Sequence, residues 1–317
     1  MNEPVIVADV VRNDFVEGHH HGSVVVTAPD GSVEWSLGVV DQPMFPRSSN
    51  KPMQALGMLR SGLRLDGELL ALAGASHSGE AFHRDGVRRI LAGAGLDESA
   101  LQTPPAYPID EEARDEWVRA GHRIDPITMN CSGKHAAMLA TCVANGWSTD
   151  DYRAPGHEVQ QAIRAAIEDC AGDKVAAVAV DGCGAPLLAI SLAGLARSFG
   201  LFASAGPASP EGRIADAFRT YPEWVSGTRR DETALMRAVP GLFCKAGAEA
   251  VYAAGLSDGR GIAVKIDDGT PRARAVVMAA TLRRLGLSND TITAQLQHHL
   301  LGGGNPVGSV RPSAAFA

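Results

Sequence analysis

The 317-residue sequence predicts a mixed α/β chain of the α+β kind, with a mostly antiparallel sheet built from both chain ends and a helical middle region. Three observations carry this. Valine-rich apolar runs lie near the two ends, VIVADVV (5–11) and RGIAVKIDDG (260–269). In GSVVVTAPDGSVEWSLG (22–38), two such runs flank Pro29-Asp30-Gly31, a hairpin signal. Between the ends, apolar residues recur at helical spacing, most plainly in HEVQQAIRAAIEDCAG (157–172).

The remaining elements follow in order. PMQALGMLRSG (52–62) is a short helix with Pro52 in its first turn, which places Ser48 just ahead of it and Lys51 at its mouth. GELLALAGASHSGE (67–80) is an apolar run ending in small and polar residues, and EAFHRDGVRRILAGAGL (80–96) is amphipathic. Residues 97–129, with Pro104, Pro105 and Pro108, read as loose chain. KHAAMLATCVANG (134–146) is a buried helix behind the turn Cys131-Ser132-Gly133. KVAAVAV (174–180) is a strand, and LLAISLAGLARSFG (187–200) a helix. Ser209-Pro210 opens another helix, with serine as cap and proline at the first position. AEAVYAAGL (248–256) and the run at 260–269 are strands, and RARAVVMAATLRRLG (272–286) is a helix. The sheet part therefore spans about 1–75 plus 240–317, and the helical part about 76–239.

Composition narrows the function classes. A net charge of −7 argues against a general nucleic-acid binder. The start, MNEPVIVADVVRND, has no basic n-region, and no apolar run approaches a membrane span, so the expected setting is the cytoplasm. Five cysteines, an odd number, fit a reducing compartment. The triplet His19-His20-His21 is read as a polar turn.

Of 29 basic residues only five are lysines: Lys51, Lys134, Lys174, Lys245 and Lys265. Arginine stays protonated, whereas a buried lysine can surrender its proton and act as a base. Ser48-Ser49-Asn50-Lys51 sets a hydroxyl and an amine three residues apart at a helix start, where they share a face and free N–H groups are at hand. Ala75-Ser76-His77-Ser78 ends an apolar run, as suits a hydroxyl at a cleft edge. Cys131 and Cys183 lie in tight, glycine-containing turns; with a third ligand they suit zinc, and on chemistry alone His135 is that ligand. The bland alternative for both is a buried free thiol. Cys244-Lys245-Ala246-Gly247 is similar to the Lys-Ser/Thr-Gly element of serine penicillin-recognising enzymes, without the middle hydroxyl.

Taken together, these motifs resemble the asparaginase II family of the Rhizobium etli type. The likeness runs from Arg12 and Glu17 through Arg47-Ser48-x-x-Lys51-Pro52, Ala75-Ser76-His77-Ser78, Asn130-Cys131-Ser132-Gly133-Lys134-His135 and Asp181-Gly182-Cys183 to Lys245-x-Gly247-Ala248 and GIAVKIDDG. It implies a serine β-lactamase/glutaminase-like fold, L-asparagine as the small-molecule substrate, and a homodimer; the chain is read as one catalytic unit over 1–317, and charge and hydropathy leave no nucleic-acid or membrane partner expected. It implies two Ser–Lys tandems, matching Ser48 with Lys51 and Ser76 with Lys245. It implies zinc on two cysteines and a lysine, matching Cys131, Lys134 and Cys183 and displacing His135; its expected role is structural or substrate-positioning. Arg47, His77 and Asp181 are the candidates for binding substrate. The expected reaction is hydrolysis of the asparagine side-chain amide. A glutaminase or other amidohydrolase on this fold, and a non-catalytic amino-acid-binding protein, are the alternatives. The chain departs from the family where Asn13-Asp14 replace Gly-Gly and DGCGAP replaces a DGCNLP-like stretch.

Overall fold

The computed structural model describes residues 5–316, so Met1–Pro4, on which part of the N-terminal reading falls, lie outside the described residues. The strands are β1 (Val5–Arg12), β2 (Phe15–Thr27), β3 (Val33–Leu37), β4 (Pro43–Met44), β5 (Val178–Val180), β6 (Pro186–Leu188), β7 (Ile190–Ser191), β8 (Phe243–Ala246), β9 (Val251–Gly255), β10 (Gly261–Ile266), β11 (His298–Gly302) and β12 (Asn305–Pro312). The helices are α1 (Lys51–Arg60), α2 (Gly67–Ala73), α3 (Ala81–Gly93), α4 (Glu111–Arg119), α5 (Ser132–Asn145), α6 (Glu158–Ala171), α7 (Leu192–Ser204), α8 (Pro210–Thr220), α9 (Pro222–Val225), α10 (Asp231–Ala238), α11 (Pro271–Arg284) and α12 (Asp290–Gln295).

The main sheet runs β11-β12-β1-β2-β10-β9-β8, with β3 also paired to β2. Every pairing in it is antiparallel, and strands from the two chain ends meet where β2 pairs β10, Val24 opposite Val264. This bears out the expected mixed fold with a sheet drawn from both ends. β9 is buried at every residue and β10 at nearly every one, so both faces are covered there; α7 and α11 each pack on these two strands. One apolar core links sheet and helices, from Val7 to Phe316.

Two departures from the family pattern have a backbone explanation. Asn13 and Asp14 form the β1–β2 turn with φ of 43° and 66°, a left-handed conformation that short polar side chains tolerate in place of glycine. Gly184 has φ of 84° in the turn after Asp181.

Some sequence expectations give way. His19–His21 lie within β2, not in a turn: His19 Nδ1 pairs with Asp9 at 2.8 Å, and buried His20 joins Asp268 at 2.5 Å and accepts from Arg272 at 2.9 Å. The run at 187–200 is not one helix. It contains the ends of β6 and β7, and α7 begins only where Ser191 Oγ accepts from the Gly194 N–H.

Candidate active site

The segment carrying Ser48 is held from three sides. Arg47 has φ of 51°, uncommon for a residue with a side chain, and it opens a 3-10 turn, Arg47–Asn50, that runs into α1. Ser49 Oγ donates back to the Pro46 carbonyl at 2.6 Å, and Gln54 Nε2 donates to Asn50 Oδ1 at 2.7 Å. Opposite stands Gly247, at the end of β8. A Cβ there would lie 2.8 Å from the Pro46 oxygen and 3.2 Å from the Ser48 nitrogen, so the close approach requires glycine.

Lys51 is fully buried. Its Nζ lies 2.6 Å from the Ala75 carbonyl, 2.8 Å from Ser76 Oγ and 3.0 Å from Cys131 Sγ. Those three partners saturate an ammonium group. A neutral amine instead offers two donors and a lone pair, onto which the Ser76 hydroxyl can donate. The pairing therefore differs from the sequence expectation. Lys51 is joined to Ser76, and among the described residues Ser48 Oγ has no hydrogen bond to it. Lys245 is equally buried and donates to the Ala246 carbonyl at 2.7 Å, not to Ser76. Burial lowers its pKa to about 7, against the attraction of Glu232 and helped by the charge of Lys51.

Ser48 and Ser76 face a common cleft of about 410 Å³. Asn130, Gly247, Glu249, Arg230 and Arg274 line it as well. Glu249 and Ala250 both have positive φ, 56° and 51°, so the cleft wall, like Arg47, holds strained backbone.

The three expected substrate-binding residues are engaged elsewhere. Arg47 Nε donates to Asp181 Oδ1 at 3.0 Å, and Arg47 Nη1 lies 3.4 Å from Glu249. Arg47 and Asp181 thus satisfy each other and do not line the cleft. His77 is fully buried, with Nε2 against Ser132 Oγ at 2.8 Å and Nδ1 accepting from the Gly79 N–H. Burial, with the charges of His83 and Lys51, keeps it neutral.

Cys131 and Cys183 pack together with Ala185 as a small cluster beside the main core. Lys134 Nζ lies 3.4 Å from Cys183 Sγ. Both thiols are free, and a hydrogen bond between them drives the Cys183 thiol far down and the Cys131 thiol up. Lys134 keeps its charge because both sulfurs outweigh its burial. His135 Nδ1 bonds the Tyr152 hydroxyl at 2.7 Å, while buried Nε2 has no partner. Among the described residues no three His, Cys, Asp or Glu side chains are grouped to hold a metal ion. A zinc ion would need the Lys134 amine, and two thiols, an amine and an orphaned imidazole nitrogen are a donor set that fits it.

Sequence reasoning missed Arg230, Glu249 and Arg274. Arg274 left one signal, a charge at the head of the apolar run of α11; the others reach the cleft through tertiary structure alone.

A family model described as L-asparaginase II matches residues 8–312. None of the curated proteins matches the chain. Among solved structures, a beta-lactamase from Mycobacterium bovis is 14% identical, covering 84% of this chain and 95% of its own, with a TM-score of 0.48. A probable glutaminase from Bacillus subtilis, complexed with 6-diazo-5-oxo-L-norleucine, is 12% identical, covering 84% of each chain, with a TM-score of 0.40.

Proposed function

The chain belongs to the L-asparaginase II family of amidohydrolases, and from that premise we propose that its cleft hydrolyses the side-chain amide of L-asparagine through a serine nucleophile and lysine proton carriers. Ser48 attacks the amide carbon. Its proton passes through the Ser76 hydroxyl to the Lys51 amine, and the carbonyl electrons move onto oxygen. Collapse expels ammonia, which takes a proton back through the same pair, and leaves an acyl-serine. Water then releases L-aspartate and restores the Ser48 hydroxyl. Burial brings Lys245 to about 7, so near neutrality both its forms are present and it can accept or return a proton. The observation that carries the reading is the 2.8 Å contact between Lys51 Nζ and Ser76 Oγ on the floor that Ser48 shares.

Cys131, Lys134 and Cys183, with His135 Nε2 beside them, would hold zinc; when bound, it would supply charge that fixes both sulfurs as thiolates. The role we assign to it is positional, because Cys131 touches Lys51 at 3.0 Å. Five free, buried cysteines support a cytoplasmic setting, and no described helix is long and apolar enough to cross a membrane. The homodimer is proposed on the family resemblance alone.

The test is ammonia release from L-asparagine and L-glutamine, together with labelling by 5-diazo-4-oxo-L-norvaline, a diazoketone analogue of asparagine. Ser48→Ala should abolish release, and the label should map to Ser48. A label on Ser76 would make that serine the nucleophile, with Lys51 as its direct base. Release from glutamine alone would keep the chemistry and change the substrate.

A further inference from the structure

The charges lining the cleft do not cancel, and their surplus is positive. Arg230 leads into α10 and Arg274 lies in the first turn of α11, so two separate elements bring guanidinium groups to the cleft shared by Ser48 and Ser76. Two consecutive carboxylates stand behind them. Arg274 Nη2 donates to Asp231 Oδ1 at 2.7 Å and lies 3.6 Å from Glu232 Oε2; Arg230 Nε is 3.4 Å from that same Glu232 oxygen. Glu232 is fully buried and Arg274 is more than nine-tenths buried. The remaining oxygens, Asp231 Oδ2 and Glu232 Oε1, are buried without a hydrogen-bond partner.

Two adjacent carboxylates, Glu232 fully buried and Asp231 mostly so, resist ionising together. Burial and the charge of Glu232 raise Asp231 to about 7. Glu232 is driven down despite its burial by Arg230 and Arg274, with Lys245 adding to the effect. Tyr252, beneath the Arg274 guanidinium at 5.5 Å, is kept neutral by burial. With Asp231 only partly ionised near neutrality, the pair carries less than two negative charges behind two arginines.

We propose that Arg230 and Arg274 form the subsite for the α-carboxylate of an amino-acid substrate, that Glu232 positions both guanidinium groups, and that Glu249 takes the α-ammonium. This deepens the asparaginase reading and rests on it for the substrate. A planar guanidinium donates two parallel hydrogen bonds to a carboxylate, a geometry a lysine cannot match. Glu249 is a carboxylate of the cleft wall itself, and its one ion pair among the described residues, to Arg47, is long at 3.4 Å. The arrangement moves substrate recognition from Arg47 and Asp181, which neutralise each other, to residues on α10, α11 and the turn after β8.

The experiment compares L-asparagine with 3-aminopropanamide, which keeps the amide and the amine and lacks the carboxylate. Arg230→Gln should raise KM for L-asparagine about 10- to 100-fold with kcat nearly unchanged, and leave 3-aminopropanamide unaffected. Glu232→Gln should likewise raise KM for L-asparagine and leave KM for 3-aminopropanamide unmoved, while any change in kcat falls on both substrates alike because Glu232 also attracts the Lys245 amine. Equal rises in KM on both substrates, or an unmoved KM for asparagine in folded Arg230→Gln, would overturn the proposal. Calorimetry of L-asparagine binding to Ser48→Ala, with and without Arg230→Gln, separates the two readings. Binding that depends on Arg230 without turnover in the wild type keeps the subsite and rejects the amidohydrolase. Turnover insensitive to Arg230 does the reverse.

Discussion

Replacing Gly247 by alanine tests whether the contact between β8 and the Ser48 turn holds the nucleophile in place. The added methyl would meet three backbone atoms, the Pro46 oxygen at 2.8 Å, the Ser49 nitrogen at 3.0 Å and the Ser48 nitrogen at 3.2 Å. None belongs to a flexible side chain that can swing aside. Relaxed contacts between non-bonded atoms lie at about 3.5–4.0 Å, so the two segments must part by roughly 0.7 Å. Overpacking of this kind costs about 1–3 kcal/mol, equivalent to a fall in Tm of about 2–5 °C for a chain of this size. Displacing a reacting group by about 1 Å costs on the order of 100-fold in rate, so kcat for ammonia release should fall about 10- to 100-fold. The control is Gly93→Ala, exposed near the end of α3 with open space around its Cβ; it should keep full activity. A folded Gly247→Ala enzyme with kcat within twofold of wild type would refute the reasoning, because Ser48 would then not depend on this contact.

Two further outcomes follow from the buried amines and sulfurs. Burial holds Lys245 at about 7, so a step needing its neutral amine should quicken as pH climbs through about 7 and level off above it; a kcat that stays flat from about pH 5 to 9 would remove Lys245 from the proton path. Elemental analysis after dialysis should find about one zinc per chain in the wild type and none in Cys183→Ala, whereas Cys170→Ala should retain it; a metal-free wild type, purified with zinc supplied, would remove zinc from the site.

Elements that carry their own periodicity and caps were legible in the sequence. α6 lies within a residue or two of where its pattern put it, and α8 starts where Ser209-Pro210 implied, with Ser209 as its cap. α4 was not legible because it buries only Ala113; what starts it is Asp110, whose carboxylate accepts from the Ala113 N–H. β11 and β12 were hidden for a similar reason, since most of their side chains are exposed and no alternation marks them. At the site, the motifs located Ser48, Lys51 and Ser76, but not which hydroxyl meets which amine. That depends on residues 75–76 and 131 converging on Lys51, and no local pattern encodes such a convergence. Glu249 was illegible in the same way, since its placement comes from a strained turn.

The distribution of lysine and arginine then acquires a physical reason. Lys51, Lys134 and Lys245 are buried, each reaching compact acceptors such as a carbonyl, a hydroxyl or a sulfur. A guanidinium cannot enter those places: it is planar, too large for the pocket of an ammonium, and always charged. Lys174 marks the contrast, with its side chain 89% exposed and paired to Glu168. Lys265 was read as merely structural, yet its Nζ donates to the Glu249 carbonyl at 2.8 Å and so braces the strained turn that forms the cleft wall. Arginine does the opposite work at the same cleft, where a permanent charge and a flat donor face are wanted and carboxylates stand behind to hold them. On the proposed reading the two residue types divide the labour at the cleft: Lys51 and Lys245 where protons move, Arg230 and Arg274 where the substrate carboxylate is held.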